Sequence, residues 1–100
     1  MEPVIEIISK NILSNNRYDK KLKNEYISTI NRIILVKQKI IHLYRSMDYV
    51  ILYNTLYEEI QYLDKQKKYF NQYLEPNLID ILNEYFNNRI EIYNHCMNKI

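Results

Sequence analysis

The sequence predicts an all-α protein, a small helical bundle built on an antiparallel helical hairpin, with a short N-terminal helix and a C-terminal helix. Apolar residues recur at alternating spacings of three and four along most of the chain, which is the period of a helix face. The chain contains no glycine, so the favoured β-hairpin turns lack their usual residue. Its 100 residues, 47% hydrophobic and 26% charged, suit one globular domain spanning residues 1–100.

A short first helix is predicted from about Glu2 to Leu13. Pro3 fits the first helical turn, where its missing amide hydrogen is not needed. The helix is expected to stop in the polar stretch at residues 14–16, because Ser and Asn favour turns. One face of this helix carries Val4, Ile5, Ile8 and Ile12.

Two longer helices are predicted on either side of a turn at residues 45–48. The second helix begins near Asp19, which suits an N-cap, and the third ends near Glu75 because Pro76 cannot continue it. The stripe of the second helix comprises Tyr26, Ile30, Ile33, Lys37, Ile40 and Tyr44. The stripe of the third comprises Tyr49, Tyr53, Leu56, Ile60, Leu63, Lys67, Phe70 and Leu74. An antiparallel pair then sets Tyr44 against Tyr49, Ile40 against Tyr53, Ile33 against Ile60 and Ile30 against Leu63.

Two lysines interrupt these stripes and are expected to have a structural role. Lys37 and Lys67 need water or a carboxylate at their ammonium groups, and Glu59 and Glu25 lie near the respective facing positions. Polar residues at such positions usually fix the register of the two helices.

A fourth helix of about 22 residues is predicted after Pro76, with Asn77 as its N-cap and Asp80 in its first turn. Its apolar face comprises Ile79, Leu82, Phe86, Ile90, Tyr93, Met97 and Ile100.

Catalytic chemistry, metal ligands and cofactors are not predicted. His42, His95 and Cys96 have no partners at the spacing of known metal sites, and Glu91 with His95 is more typical of a weak local pair than of an acid–base dyad. Without glycine the phosphate-binding loops of nucleotide sites cannot form. We therefore expect a protein that is not an enzyme.

The leading candidate for a protein interface is a tyrosine flank beside the main stripe of the third helix. Tyrosine combines a large apolar ring with a polar tip and is enriched at protein interfaces. Packing against the first or last helix is the competing interpretation. The tyrosine flank comprises Tyr62, Gln66, Tyr69 and Tyr73.

A basic cluster at the start of the second helix is the candidate for nucleic-acid contact. Its cations could engage phosphates and its aromatic ring could stack on a base. A solvated helix start is the competing interpretation, because the net charge of the whole chain is only +2. The basic cluster comprises Arg17, Tyr18, Lys20, Lys21 and Lys23.

The sequence predicts an intracellular protein that acts by binding another protein or by self-association, as an accessory subunit, inhibitor or adaptor. Ile, Asn, Tyr and Lys supply 51 of the 100 residues, which indicates an AT-rich genome such as that of a virus or phage. A lone cysteine suits a reducing compartment, and the acidic start is unlike a signal peptide. No apolar stretch is long enough to span a membrane. A nucleic-acid-binding accessory protein is the alternative.

Overall fold

The computed structural model describes residues 3–100, which form four α-helices. They are α1 (Pro3–Leu13), α2 (Lys20–Arg45), α3 (Tyr49–Asn71) and α4 (Pro76–Asn98). The long helices α2 and α4 pack on either side of α3, and α1 packs against α4. The predicted helical bundle is therefore confirmed, while the predicted start of the first helix at Glu2 lies outside the described residues.

One predicted helix boundary is confirmed by the structure, and two are wrong. The carboxylate of Asp19 accepts a hydrogen bond from the Leu22 amide at 2.8 Å and caps α2 as predicted. The predicted end of the third helix near Glu75 is wrong by about one turn, because the amides of residues 73 and 74 both turn back to the Phe70 carbonyl. The prediction of Asn77 as an N-cap is also wrong. Glu75 takes the cap position in extended conformation, which leaves Pro76 at the first helical position that proline prefers.

Side-chain contacts between α2 and α3 confirm the antiparallel hairpin. The Arg32 side chain contacts Glu59, Thr29 contacts Tyr62, and Glu25 contacts Gln66. Each step backward along α2 therefore matches an equal step forward along α3, as two antiparallel helices require.

Near the turn, the predicted facing pairs are wrong. Tyr44, Tyr49 and Tyr53 are exposed, and the neighbouring Leu43 and Leu52 are buried in their place. Leucine buries no polar atom, whereas the tyrosine hydroxyl is best left in water, so the helices present the leucines to the core. The buried positions of α3 are Leu52, Thr55, Leu56, Glu59, Leu63, Gln66 and Phe70.

The predicted roles of the two lysines are also corrected. Lys37 is exposed, and the partner of Glu59 is Arg32. The ammonium group of Lys67 lies 3.9 Å from the Asp64 carboxylate and donates a hydrogen bond to Asn87 at 3.0 Å. Long, flexible lysine side chains reach the nearest solvated oxygen, which lies on their own helix or its neighbour.

The short helix α1 lies in the cleft between α2 and α4, on the side away from α3. Ile5, Ile8 and Ile12 are fully buried there, and Ile5 borders residues of both α2 and α4. The Ser9 hydroxyl lies 2.8 Å from the Tyr26 hydroxyl, whose pKa is raised by burial. Because Ile5 lies beside residues 30–37 of α2 while Ser9 meets Tyr26, α1 runs antiparallel to α2.

Aromatic contacts join the three long helices at the centre of the core. The Phe70 ring of α3 meets Tyr26 of α2 edge-on with ring centroids 6.1 Å apart, and it lies 6.3 Å from Phe86 of α4. The predicted core positions on α4 are likewise buried at Leu82, Phe86 and Tyr93. Ile100 is exposed, because it follows the last helical residue.

Introducing a carboxylate on either face of α2 tests which face is buried. Ile33 is 2% exposed, whereas Leu35 on the same helix is 65% exposed. We expect Ile33→Asp to lower the free energy of unfolding by about 3 kcal/mol or more, since an unpaired carboxylate would enter the core. Leu35→Asp is the matched control and should change it by less than about 0.5 kcal/mol. Equal effects of the two variants in urea denaturation would show that this face of α2 is not buried.

Candidate protein-binding surfaces

Exposed apolar side chains concentrate around the turn between α2 and α3. Tyr44, Met47 and Val50 are 66%, 72% and 75% exposed. Exposed apolar residues concentrated around one turn mark an interaction site more often than singly scattered ones do. We refer to it as the apolar end, comprising Ile41, Tyr44, Met47, Tyr49, Val50, Ile51 and Tyr53.

The tip of the apolar end is held in a strained backbone conformation. Met47 has a φ of 59°, the left-handed region in which glycine is the usual residue. The amide of Met47 donates to the Tyr44 carbonyl and that of Asp48 donates to the Leu43 carbonyl, which together form a Schellman motif at the end of α2. The motif therefore presents a large apolar side chain to solvent at a position that ordinarily carries none.

Beside the apolar end, the cleft between α2 and α4 opens into a groove of about 750 Å³, here called the open groove. It begins where α1 no longer covers the cleft. Its floor includes the buried Leu52 of α3. Its apolar walls are Ile40, Ile41 and Tyr44 of α2, Tyr49 of α3, and Cys96 and Ile100 near the end of α4.

Three basic side chains also line the open groove. Arg45 is the last residue of α2, Lys99 is the C-cap of α4, and His95 lies in the last turn of α4. All three are exposed. No Asp or Glu side chain of residues 3–100 lines the groove, so its side chains favour a ligand with negative charge.

A buried polar network lies between α2 and α3. Glu59 is 1% exposed and accepts a hydrogen bond from the Arg32 guanidinium at 3.1 Å. Burial raises the pKa of its carboxyl above the ordinary value, although the charges of Arg32 and Arg89 oppose the shift. Because Glu59 is closed off from solvent, it cannot reach a substrate, and its position is typical of a structural ion pair.

The tyrosine flank is divided between the interior and the surface. Gln66 is 3% exposed and donates hydrogen bonds of 2.7 Å to both Glu25 and Thr29. Tyr62 donates to Thr29, and the Arg32 guanidinium lies 3.9 Å from its ring centre. This half of the flank therefore packs on α2.

The other half of the flank reaches the surface. The rings of Tyr69 and Tyr73 lie 5.1 Å apart, with Tyr69 half-buried and Tyr73 exposed. Desolvation raises the pKa of the Tyr69 hydroxyl, and the Glu25 carboxylate adds to the shift. Gln66 is thus buried, Tyr62 and Tyr69 are half-buried and Tyr73 is exposed, and a protein interface at this flank stays a prediction.

The basic cluster is brought beside this pair of tyrosines. Tyr18 is buried, and its hydroxyl accepts a hydrogen bond from the Glu75 amide at 3.1 Å, so its ring is not free to stack on a base. Arg17 pairs with the Glu75 carboxylate at 2.7 Å. Lys20 and Lys21 are exposed, and Lys23 is half-buried. Two helices thus share a cavity of about 280 Å³ that is bordered by Arg17, Tyr18, Asp19, Lys21, Leu22, Tyr69 and Tyr73.

Residues 3–100 hold neither a metal-binding cluster nor a membrane-spanning helix. No group of three or more His, Cys, Asp or Glu side chains lies close enough to hold a metal ion in this part of the chain. Across the same residues, none of the helices combines the length and the apolar character needed to cross a bilayer.

Sequence reasoning missed the apolar end and the open groove. The exposed tyrosines were assigned to the interface between α2 and α3, where their spacing fitted. The signal present in the sequence is the difference in helix length, because α1 with 11 residues is too short to cover helices of 23 to 26 residues along their whole length.

Comparison of this chain with known protein families, with characterised proteins and with solved structures found no match. Its function is therefore inferred from the contacts, burial and charge of its own residues.

The buried ion pair gives a pH-dependent prediction. Arg32→Met should lower the free energy of unfolding by about 2 kcal/mol at pH 7, since it leaves the Glu59 carboxylate buried without this partner. This loss of stability should shrink as the pH falls toward 4.5. Because its pKa is raised, the Glu59 carboxyl takes up a proton at a higher pH than an ordinary carboxyl does, and a neutral acid is less costly to bury than a carboxylate.

The exposed Arg17–Glu75 pair supplies the control. Arg17→Met should change the free energy of unfolding by less than about 1 kcal/mol, because its guanidinium is largely solvated. Urea denaturation from pH 4.5 to pH 8 measures both variants. A loss for Arg32→Met that does not depend on pH would show that Glu59 is not the group left unpaired.

Proposed function

We propose that this protein is a non-enzymatic interaction module that binds another protein through its apolar end. It would serve as an accessory subunit, inhibitor or adaptor in a reducing, intracellular compartment. The observation that carries this proposal is the clustering of seven large exposed apolar side chains around one turn. Contact with water makes such a cluster unfavourable, and burial against a partner removes that cost.

The strained backbone at Met47 supports the same surface. A methionine in left-handed conformation is less favourable than glycine by about 1 kcal/mol. Strain of this kind is commonly found where a side chain contributes to function. Methionine is flexible and polarisable, and it adapts to apolar partner surfaces.

Nucleic-acid binding through the basic cluster is the less favoured function. The Arg17 charge is paired with Glu75 and the Tyr18 ring is buried, which leaves Lys20 and Lys21 as the exposed cations of the cluster outside that ion pair. Two phosphate contacts give weak, salt-sensitive binding. Retention on DNA or RNA that falls steeply between low and physiological salt would favour this alternative.

A single substitution separates the effect on stability from the effect on binding. We expect Met47→Gly to raise the free energy of unfolding by roughly 1 kcal/mol, because glycine relieves the positive φ. The same change should weaken partner binding roughly tenfold, since it removes an apolar contact at the centre of the apolar end. A variant that is more stable yet binds more weakly cannot be explained by unfolding.

The partner for this measurement is first captured by a photo-crosslinking residue at Val50 in the organism of origin, and then purified for titration. A crosslinking residue at Leu35 is the control, because Leu35 is also apolar and 65% exposed but lies midway along α2, away from the turn. Leu35→Ser should leave affinity unchanged. Equal capture from both positions, or unchanged affinity of Met47→Gly, would show that the apolar end is not the binding surface.

A further inference from the structure

The open groove is the unfilled part of a four-helix arrangement. Helices α2, α3 and α4 occupy three corners, and α1 fills the fourth. With a rise of 1.5 Å per residue, α1 is about 16 Å long, whereas α4 is about 35 Å long. The open groove lies between residues 40–45 of α2 and residues 95–100, where no helix of residues 3–100 occupies the fourth corner.

The filled part of the cleft shows which shape fits it. There α1 inserts Ile5, Ile8 and Ile12, spaced three and four residues apart, between α2 and α4. Most of the wall residues of the open groove belong to the same two helices, about two turns further along. They present Ile40, Ile41 and Cys96, which suit the same kind of apolar helix face.

Charge around the open groove specifies the ligand further. Arg45 and Lys99 lie at the C-terminal ends of α2 and α4, one on each wall. A helix that enters antiparallel to α2, as α1 does, places its first turn between them. Acidic residues in that turn would meet both cations and would also be favoured by the dipole of their own helix.

We propose that the open groove binds an amphipathic helix of a partner protein, in line with α1, with carboxylates in its first turn. The inference rests on the proposed function and names the partner segment. The partner helix would supply to the open groove what Ile5, Ile8 and Ile12 supply to the covered part of the cleft.

Two features of the sequence allow peptide binding to be measured without an added label on the protein. It has no tryptophan, so a tryptophan on the apolar face of a synthetic peptide reports burial through a blue shift of its fluorescence. Cys96 is the single cysteine and lines the open groove, so its alkylation rate reports occupancy. The probe is a helical peptide of about 12 residues, with isoleucines spaced three and four apart and two glutamates in its first turn. The control peptides carry lysines there, or the same glutamates in the last turn.

The acidic peptide should slow alkylation of Cys96 and bind roughly tenfold more tightly than either control peptide. In the double variant Arg45→Glu, Lys99→Glu the lysine peptide should become the preferred one, a gain that a misfolded variant could not produce. Lys20→Glu with Lys39→Glu is the matched control, since both residues are exposed and lie outside the groove lining. Tyr44→Ser should weaken the acidic peptide roughly 30-fold.

Several outcomes would overturn the inference. The first is equal binding of all the peptides. The second is protection of Cys96 by laurate, a fatty acid added in place of the peptides, but not by the peptides themselves. The third is protection of Cys96 that rises with protein concentration in the absence of peptide, as expected if the chain pairs with a second copy. If the peptides fail while capture from Val50 and the Met47→Gly effect persist, the helix in the groove is wrong and the proposed function stands. If capture and the Met47→Gly effect also fail, both are wrong.

Discussion

The packing of three isoleucines of α1 between α2 and α4 determines which part of this bundle is closed and which is open. Ile5, Ile8 and Ile12 cover the half of the cleft next to the N-terminus of α2. Burial of each isoleucine contributes about 1.5 to 3 kcal/mol, so α1 is held firmly although it is too short to be stable alone. The open groove lies beyond the part of the cleft that the described residues of α1 cover, next to the turn between α2 and α3.

The register of α2 and α3 depends on polar contacts rather than on apolar ones alone. A stripe rich in isoleucine and leucine would tolerate a shift by one helical turn with similar burial. In the observed register Arg32 donates to Glu59, and Gln66 donates to both Thr29 and Glu25. A shift would leave buried polar atoms without partners, which is costly in a dry interface. This register also fixes the position of the turn and hence of Met47.

Helical periodicity was sufficient to predict the fold, because burial repeats every three to four residues along each helix. It was not sufficient near the turn, where the many tyrosines of this composition fill apolar positions that the core does not use. Gln66 shows the opposite error, since a polar residue was assigned to an outer flank although its amide is bonded inside. Pro76 was assigned correctly as a boundary but not as the first residue of α4.

The candidate site was harder to predict than the fold, since it is formed by residues that meet only in the folded bundle. Ile40 and Cys96 lie on different helices, and nothing local in the sequence indicates that they face one groove.

The most direct test of a bundle closed by α1 at one end and open at the other is amide hydrogen exchange along α2 and α4. Strong protection from exchange is expected at residues 26–34 and 82–90, which α1 and α3 cover. At residues 40–45 and 95–98 the protection factors should be lower by roughly tenfold or more. Uniform protection along both helices would contradict the open groove.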